Sequence, residues 1–523
     1  MSLVSIPLSL SLAIAAGATP IMGIVTAIWA GLFAGLLGGS KFNIVGPTGA
    51  LAGILTLYTF EYGAAVLPFL AFSSGILILL FWLLHWERYL MLIPSSVIHG
   101  FTLGVALIIG LSQLNFLLGL ENITAHGHLI SNVFESLRHA GQANIFAVVL
   151  FTIGLIIIFT VSKYFPKAPV SIFTALFGIA IGYASVSGLI SFYLPTLYSV
   201  YGDLKLNLVQ PNYFSLDYFS LPLLKAAIII VFVGIIETLI SGKIADGMTK
   251  THFNQSKEVF GLGMANIASG LFGGIPATAA LARTALNVKS GATSKTSALI
   301  NAIGVAIISL FLISVFKFLP LAIVAAILVF VAVRMVQAEH FINLYRNDKK
   351  MFFLSLVVAA ITIIEDPITG ILVGAVIALL IFLKNFSKAQ SEVTLNYQGK
   401  LVGRLPVGQL SEQQVPGDCL VYRFAGELTY INAQMHLVNI THIQNVPNVV
   451  LSFRNLFYVD LDGIDAIKEI IDELQGRDIK VHLSSVSDIL LPLISQQDWF
   501  KKIQSQGGVF SSTNEAVSKV SKF

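Results

Sequence analysis

Long apolar segments, each close to the length of a membrane-spanning helix, follow one another along the first three quarters of the chain. Gly, Pro or charged residues mark the breaks between them. Because a helix needs about 20 apolar residues to cross the hydrocarbon core, the pattern predicts fourteen spans. They lie at residues 2–17, 20–37, 46–60, 64–84, 97–119, 145–162, 168–191, 222–243, 258–274, 280–293, 297–316, 318–337, 350–366 and 367–386. We expect the first span to be clipped at its cytoplasmic end.

One apolar stretch is interrupted in an unusual way. KFNIVGPTGALAG, residues 41–53, places an extended KFNIV before a Gly-Pro-Thr-Gly cluster. The segment LLGGSKFNIVGPTGAL at 36–51 aligns without a gap with LFGGIPATAALARTAL at 271–286, an offset of 235 residues. Seven predicted spans separate the copies. Since seven is odd, the second copy runs through the bilayer in the opposite direction, and the sequence predicts a seven-plus-seven inverted repeat.

The two interruptions predict half-helices that begin at Gly46 and near Ala282 and meet at the membrane midplane. Non-helical backbone at that depth survives only where it is buried in protein or lines a polar cavity. Each helix N-terminus offers unpaired N–H groups and about half a positive charge, which suits an anion. The predicted anion-binding residues are Gly46, Thr48, Gly49, Ala50, Ala279, Ala280, Leu281 and Arg283. Alternatively, the Gly-Pro-Thr-Gly cluster is a plain turn between two spans.

Two charged residues fall inside predicted spans. A charged Arg283 in a membrane segment costs free energy, and such residues are usually functional. The structural alternative is that Arg283 pairs with a nearby carbonyl or with Glu237. Glu237, in FVGIIETLISGKIAD, costs free energy as the ion unless a cation lies close. Both residues are therefore candidates for a functional site within the membrane segments.

Composition agrees with a membrane protein. The hydrophobic share is 56% and the charged share 11%, against roughly 45–50% and about 25% in an average soluble domain. Lys and Arg concentrate on one side of the predicted topology, which places both termini in the cytoplasm of a cell with the spans in its inner or plasma membrane. The loops on that side hold Arg88, Lys163, Lys167, Lys243, Lys250, Lys257, Lys289, Lys295, Arg334, Arg346, Lys349 and Lys350, whereas the opposite loops at 120–144 and 192–221 hold only Arg138 and Lys205.

Motifs of other function classes are missing from the sequence. The ten His residues are scattered, and there is no nucleophile elbow, phosphate loop or metal-ligand spacing. We therefore expect no enzyme, no metal and no cofactor. The net charge of +4 reflects the topological bias, so we expect no nucleic-acid partner.

The segment after about Glu392 has a different character. CLVYRFAGELTYIN predicts strands and a turn, AQMHLVNITHI an amphipathic helix, and NVVLSF a buried strand. LDGIDAIKEIIDELQGR and IKVHLSS then predict a helix and another strand. Strands alternating with helices indicate a small α/β domain with a largely parallel sheet. The single cysteine, Cys419, forms no internal disulfide, as expected in a reducing cytoplasm.

Several separate motifs resemble one known family. IPLSLSLAIAAGATPIMGIVTAIWAGLFAGLLGGSKFNIVGPTGA, HGFTLGVALIIGLSQLNFLLG and EVFGLGMANIASGLFGGIPATAALARTALNVKSGATS are similar to the SulP anion transporters, solute carrier family 26. The resemblance implies a transmembrane domain over 1–388, with a core of spans 1–4 and 8–11 and a gate of spans 5–7 and 12–14. It further implies a homodimer, a substrate between the third and tenth spans, an elevator motion, and sulfate, bicarbonate, chloride or dicarboxylate as the anion.

The same resemblance bears on the coupling ion. Glu237 matches the acidic residue of the cation site in sodium-dependent bicarbonate carriers of the family, and Ser241 matches a hydroxyl one turn on. A second hydroxyl of those carriers falls here on Leu281, which has no oxygen. We therefore expect proton-coupled symport, with sodium-coupled symport and uncoupled exchange or channel flow as alternatives.

The tail, 389–523, resembles the STAS domain that ends SulP proteins and is similar to anti-sigma-factor antagonists. In the antagonists a phosphorylated Ser or Thr stands in a D-x-S-G pattern; here Asp462 takes that place in Asp460-Leu461-Asp462-Gly463. Asp462 is a predicted regulatory residue, but it has no hydroxyl and so cannot be phosphorylated in the way that Ser or Thr is. A cytoplasmic protein partner of this domain is expected, and a membrane-tethered STAS signalling scaffold is the alternative from another function class.

Overall fold

The computed structural model describes residues 1–90, 93–121, 126, 129–165, 170–209, 218–365, 367–387, 391–405, 417–443, 446–488 and 490–521. The chain divides into two compact units, Met1–Ala378 and Leu379–Phe523. The predicted domain boundary between residues 388 and 389 lies outside the described residues, as does Lys167.

In the part that the structure describes, the regular elements of the first unit are helices and one short pair of strands. Its elements are α1 (Ser2–Ala15), α2 (Pro20–Leu37), β1 (Val45–Gly46), α3 (Gly49–Tyr62), α4 (Leu67–Leu83), α5 (Glu87–Leu90), α6 (Ser95–Leu111), α7 (Leu114–Leu118), α8 (Leu129–Arg138), α9 (Ile145–Tyr164), α10 (Val170–Val186), α11 (Leu197–Tyr201), α12 (Leu221–Thr249), α13 (Gln255–Leu271), β2 (Thr278–Ala279), α14 (Leu281–Lys289), α15 (Thr296–Phe316), α16 (Leu321–Met335), α17 (Ala338–Asn347), α18 (Lys349–Ile364) and α19 (Pro367–Phe386), within which the division falls.

Helices occupy most of each of the fourteen predicted segments. Among the described residues, eight helical stretches are long and apolar enough to cross a membrane, and α1 and α10 are apolar but shorter. The helical transmembrane fold is confirmed, and the number of spans stays a prediction. One boundary was wrong: Gly46 lies in strand β1, and the helix begins three residues later at Gly49.

The helices of this unit pack in two groups. In the first group, α13 lies against α2 and α4, α15 against α1 and α2, and α12 against α4 and α14. In the second group, α6 packs against α16 and α18, and α9 against α10 and α16. The groups meet where α3 contacts α6, where α1 contacts α10 and α16, and where α14 contacts α16.

Small residues allow close approach within the second group. A Cβ added at Gly100 would lie 2.4 Å from the Ser355 carbonyl oxygen, and one at Gly104 would lie 2.7 Å from Thr362 Cβ. The two glycines are four residues apart on one face of α6, the small-residue spacing that lets membrane helices pack backbone to backbone. Larger side chains at either position would separate α6 from α18.

The second unit is an α/β domain built on a six-stranded sheet. Its elements are β3 (Ser391–Tyr397), β4 (Lys400–Leu405), β5 (Cys419–Leu428), α20 (Ala433–Thr441), β6 (Asn448–Val459), α21 (Leu461–Gln475), β7 (Lys480–Ser484), α22 (Leu491–Ile494), α23 (Asp498–Ser505), β8 (Val509–Phe510) and α24 (Thr513–Val520). The strand order is β4-β3-β5-β6-β7-β8. β5 to β8 pair in parallel, as predicted, whereas β3 pairs antiparallel with both β4 and β5, so the sheet is mixed.

The strands and helices of this domain bury a large apolar core and a separate, smaller cluster around Cys419 and Val517. Tyr422, Phe424 and Phe453 from the central strands are fully buried, and Ile467, Ile470 and Leu474 from α21 cover them as part of the same cluster. The three- and four-residue spacing in α21 turns its apolar stripe towards the sheet. Cys419 is buried, and burial raises the pKa of its thiol to about 12, so it is chemically inert.

Candidate anion-binding site

The two interrupted segments pair with each other as antiparallel strands. Val45 lies opposite Ala279, and Gly46 lies opposite Thr278. The prediction that the two copies of the repeat meet is therefore confirmed. The gapless alignment of the copies was wrong, because eleven residues, 38–48, separate α2 from α3, whereas nine, 272–280, separate α13 from α14.

Polar groups of the protein satisfy the backbone around these strands. The N–H of Ala280 donates to the Ile44 carbonyl oxygen at 3.2 Å. The N–H of Ile44 donates to Thr284 Oγ1 at 3.2 Å, and that of Ala279 donates to Thr238 Oγ1 at 3.1 Å. Extended backbone is tolerated in this apolar surrounding because its hydrogen bonds are made internally. The same bonds fix where α3 and α14 begin.

Both half-helices begin without a side-chain cap. Thr48 precedes the first residue of α3, Gly49, and Ala280 precedes that of α14, Leu281; neither side chain accepts a hydrogen bond from its helix. Threonine at this position commonly accepts one from the first turn, but the Thr48 hydroxyl is turned to another partner. The first N–H groups of both helices therefore stay available to an anion, the arrangement found at helix N-termini that bind phosphate or sulfate.

The Glu237 carboxyl lies at the meeting point of the two strands. Its side chain is on α12, and the residue is only 9% exposed. The hydroxyl of Thr48 donates to Glu237 Oε2 at 3.0 Å, and that of Thr278 lies within hydrogen-bonding distance of the same oxygen. Each copy of the repeat thus supplies one hydroxyl to one carboxylate oxygen. Thr278 was missing from the predicted site.

Arg283 is buried beside this carboxyl without forming an ion pair with it. The residue is 2% exposed, and its Nη2 donates to the Pro47 carbonyl oxygen at 2.8 Å. Its Nη1 is buried without a hydrogen-bond partner. Among the described residues no ion pair within 4.0 Å joins Arg283 to Glu237. The site therefore holds a buried guanidinium with an unused donor.

Ser241 lies on the same helix as Glu237, as predicted, and is fully buried. Its hydroxyl donates to Thr284 Oγ1 at 2.9 Å, the oxygen that also accepts the N–H of Ile44. In this structure Ser241 therefore ties α12 to α14. A role in ion binding stays a prediction.

A small cavity of about 30 Å³, here named the front cavity, lies between the Glu237 side chain and the neighbouring helices. It is lined by Ala50, Glu237 and Leu281, together with residues of α6 and α12. The volume is enough for water. Its lining residues Ile98, His99, Ile236, Ile240 and Gln337 also line a cleft of about 470 Å³ that reaches Lys243. The carboxyl of Glu237 is thus approached from the side of the molecule on which Lys243 lies.

Glu258 is a further buried carboxylate that the sequence analysis did not single out. It lies in the first turn of α13 and is 3% exposed. Its Oε2 accepts the N–H groups of Gly39 and Ser40, each at 2.6 Å, and its Oε1 accepts from Asn43 Nδ2 at 2.7 Å. Glu258 therefore holds the connection that leads into β1. An acidic residue at the start of an apolar helix was the available signal.

Asp462 lies in the second unit, exposed in the first turn of α21. The residue that caps this helix is Asp460, whose Oδ1 accepts the N–H of Gly463 at 2.8 Å. The negative charge of Asp462 near a helix N-terminus is favourable. Its regulatory role stays a prediction.

The chain is similar to several known proteins. Residues 1–358 match the model of the sulfate permease family, and residues 411–516 match that of the STAS domain. The protein YvdB of Bacillus subtilis is 29% identical over 508 residues, covering 97% of this chain and 93% of YvdB. Sulfate transporter 4.1, chloroplastic, of Arabidopsis thaliana is 26% identical over 95% of this chain and 77% of its own length. Bicarbonate transporter BicA of Picosynechococcus is 27% identical over 75% of this chain and 70% of its own length.

Two solved structures share the fold. The murine solute carrier 26 family member A9 anion transporter, in its inward-facing state, superimposes with a TM-score of 0.83 at 16% identity over 100% of this chain and 90% of its own. The transmembrane domain of a cyanobacterial BicA gives 0.62 at 24% identity over 71% of this chain and 94% of its own. At these identities the likeness concerns the fold alone.

Proposed function

This chain belongs to the sulfate permease family of anion transporters, and from that premise we propose that it carries small anions by secondary active, proton-coupled symport. The class includes sulfate, bicarbonate and dicarboxylates, as the names of its relatives suggest for the first two. Glu237 is the coupling residue. The observation that carries the proposal is that this buried carboxyl stands among hydroxyls and beside the unpaired Nη1 of Arg283, and that no cation of the described residues lies within ion-pairing distance of it.

The anion binds between the starts of α3 and α14. The N–H groups that follow Thr48 and Ala280 are free of side-chain caps, and both helix dipoles favour negative charge at that point. Gly46 leaves the Arg283 guanidinium close to the backbone of β1, since a Cβ there would lie 2.6 Å from Nη1. Guanidinium and backbone N–H donors suit planar and tetrahedral oxyanions alike. The site therefore selects a class of small oxyanions rather than one ion.

A proton on Glu237 strengthens anion binding. When the carboxyl is ionised, its charge opposes that of an incoming anion in a surrounding of low dielectric. When it is protonated, the positive Arg283 and the two helix N-termini act on the anion without that opposition. Each ligand therefore raises the affinity of the other by the same factor, as linkage requires. This reciprocity makes transport of the anion depend on the proton gradient.

Movement of the two helix groups against each other completes the cycle. The substrate site belongs to the group that contains α3, α12 and α14, whereas α6 of the other group faces it across the front cavity. We propose an elevator motion in which the first group carries the site between the two sides of the membrane. The same proposal includes a homodimer in a cell membrane with both termini, and hence the STAS domain, in the cytoplasm.

Sodium-coupled symport is the second candidate. Three oxygen atoms meet at one point, from Glu237, Thr48 and Thr278, and oxygen atoms are the ligands that hard cations require. Leu281 adds none. The two candidates differ in the ion whose gradient drives uptake, which a single experiment separates.

The test is uptake of labelled sulfate, bicarbonate and succinate into proteoliposomes, each with an imposed proton or sodium gradient. The wild type is compared with Glu237→Gln, which keeps the size of the side chain. Glu61→Gln is the matched control, because Glu61 is an exposed carboxylate at the far end of α3. We expect proton-driven uptake in the wild type and in the control, and no response to the proton gradient in Glu237→Gln.

Three results would contradict the proposal. Uptake driven by sodium and not by protons would favour the second candidate. Uptake indifferent to both gradients and to the loss of the carboxyl would indicate an exchanger or channel. Absence of any anion uptake by the wild type would favour the signalling scaffold instead.

A further inference from the structure

Helix α8 turns its large apolar side chains away from the rest of the protein. Ile130, Phe134 and Leu137 stand four and three residues apart, so they form one stripe along the helix. The three residues are 44%, 68% and 55% exposed. This set of side chains, here named the α8 stripe, therefore faces outwards.

Polar residues occupy the opposite side of the same helix. Ser136 is 5% exposed, and its hydroxyl donates to the Asn132 carbonyl oxygen at 2.9 Å. The Asn132 side chain donates from Nδ2 to the His126 carbonyl oxygen at 2.7 Å and accepts the His126 N–H on Oδ1 at 2.8 Å. Leu129 and Val133 lie half-buried between this side and the stripe.

The arrangement of α8 is the reverse of that expected in water. A helix on the surface of a water-soluble domain turns its apolar stripe towards the core and its polar residues towards the solvent. In α8 the most exposed large side chains are apolar, and the side chain of Ser136 is buried. The medium that covers the α8 stripe is therefore more apolar than water.

A third side of the helix is polar and exposed. Ser131 and Arg138 are both exposed and lie seven residues apart, on one line along the helix. At 3.6 residues per turn, this line is about 90° from the centre of the α8 stripe. Glu135 follows on the same side, with its Oε1 3.4 Å from His139 Nδ1. The surface of α8 is thus divided into a side against the protein, an apolar outer side and a polar outer side.

The neighbouring elements place α8 at the edge of the membrane region. The helix lies in the connection between α7 and α9, and it contacts α6, α7 and α18. The stretches Ser95–Leu118 and Ile145–Tyr164, which flank this connection, are long and apolar enough to cross a membrane. Leu111 near the end of the first stretch and Ile145 and Phe146 at the start of the second are exposed apolar residues. The α8 stripe therefore lies beside surface that faces lipid.

We propose that α8 is an interfacial helix and that lipid covers the α8 stripe. Helices with an apolar side and a polar side lie in the plane of the membrane surface, with the apolar side about 5–10 Å deep at the boundary between headgroups and acyl chains. The side with Ser131 and Arg138 faces the headgroups and water, and the long Arg138 side chain can extend towards them. In the predicted topology the helix lies in the leaflet opposite to the chain termini.

This location gives α8 a consequence for transport. The helix contacts α6 and α18, which belong to the second helix group. Movement of α8 along the membrane normal would expose its apolar stripe to water or bury its polar side in hydrocarbon, and both changes cost free energy. The helix therefore holds the second group at a fixed depth. This consequence rests on the proposed elevator motion, whereas the location of α8 does not depend on it.

The experiment measures where α8 lies in the full-length protein in proteoliposomes. A nitroxide spin label is attached to Phe134→Cys and, separately, to Leu137→Cys of the α8 stripe. Ser131→Cys is the matched control on the polar outer side of the same helix. The single native cysteine, Cys419, is buried, and the unsubstituted protein measures any label that it takes up. Electron paramagnetic resonance then compares collisions of each label with oxygen, which dissolves in lipid, and with a water-soluble nickel chelate.

We expect oxygen to reach the labels at Phe134→Cys and Leu137→Cys more readily than the nickel chelate does, and the order to be reversed at Ser131→Cys. Access of the nickel chelate to Phe134→Cys equal to that at Ser131→Cys would place the stripe in water and overturn the proposal. Exclusion of both reagents from the stripe would show that protein, such as a second copy of the chain, covers it, which also overturns the proposal. If one stripe variant does not fold, Ile130→Cys takes its place.

Discussion

Gly46 and Arg283 occupy neighbouring space in which a single added carbon would not fit. A Cβ built on Gly46 would lie 2.6 Å from Arg283 Nη1, closer than real Cβ atoms approach. The glycine belongs to β1 of the first repeat and the arginine to α14 of the second. The position of the guanidinium in the proposed anion site thus depends on a missing side chain in the opposite copy.

The substitution Gly46→Ala is therefore expected to impair transport. Overpacking of a well-packed site costs about 1–3 kcal/mol, which corresponds to a loss of roughly 5- to 150-fold in anion affinity if the guanidinium is displaced. The measurement is the substrate concentration for half-maximal uptake in proteoliposomes. Gly234→Ala is the control, since a Cβ there meets its nearest neighbour at 3.6 Å. Equal affinities for the two variants would contradict the assigned role of Arg283.

Thr48 and Thr278 are expected to act as a pair, because both lie against the same oxygen of Glu237. Replacing either by Val removes a hydroxyl at nearly constant volume and leaves a buried acceptor with one partner fewer, a loss of about 1–3 kcal/mol of stability. The two losses of stability should not add, because both hydroxyls lie against the same oxygen of Glu237 and the Oγ1 atoms of Thr48 and Thr278 are 3.0 Å apart. Thermal unfolding of both single variants and the double variant measures the coupling. Strict additivity would show that the hydroxyls act independently.

The repeat and the contact between its two copies could be predicted from the sequence, because helix-breaking residues stand out in an apolar segment. The residue at which α3 begins could not be predicted. The alignment treated Gly46 as a helix start, whereas pairing with Thr278 keeps it extended. Long-range strand pairing of this kind is invisible in a local pattern. Thr278 was missed for the same reason: it lies 41 residues from Glu237 in sequence, and only the fold brings the two together.

The α/β domain shows a similar limit. The alternation of strands and helices predicted β5, α20, β6, α21 and β7, but not the hairpin of β3 and β4. Its turn has positive φ at both Gln398 (48°) and Gly399 (74°), which suits a tight two-residue hairpin. Asn or Asp before the glycine would have given the usual signal. Glutamine is not part of that signal, so the antiparallel edge of the sheet was overlooked.

The loss of stability on replacing Glu258 is expected to depend on which residue takes its place. Glu258→Ala leaves the two backbone N–H groups and the Asn43 amide without their acceptor and should lower the free energy of unfolding by several kcal/mol, at about 1–3 kcal/mol for each buried donor. Glu258→Gln should be milder, because Asn43 Oδ1 has no partner and an amide flip would let it accept from the new side chain.

Chemical denaturation of the full chain compares these variants, with Glu61→Ala as the exposed carboxylate control. Equal losses for the Ala and Gln variants would show that charge, rather than hydrogen bonding, holds the connection at residues 39–43.

His436 makes the stability of the STAS domain depend on pH. The side chain is fully buried, pairs with the Tyr422 hydroxyl at 2.8 Å, and burial lowers its pKa to about 4. The unfolded chain keeps the ordinary value near 6.5. Below pH 6.5 the unfolded state therefore binds a proton that the folded state does not, so stability is complete above this value and is lost as pH falls towards 4.

Between about pH 7 and pH 5 the expected loss is about 2 kcal/mol from this one residue. Burial also lowers the pKa of His482, so the domain carries a second contribution of the same sign. Hydrogen exchange of amides in β5 and α20 of the full chain, corrected for intrinsic rates, reports the opening free energy at each pH. His436→Gln should flatten the pH dependence by the stated amount, and His442→Gln, at an exposed histidine of the same domain, is the matched control. An unaltered slope in His436→Gln would mean that the imidazole is protonated as readily in the folded domain as in the unfolded chain.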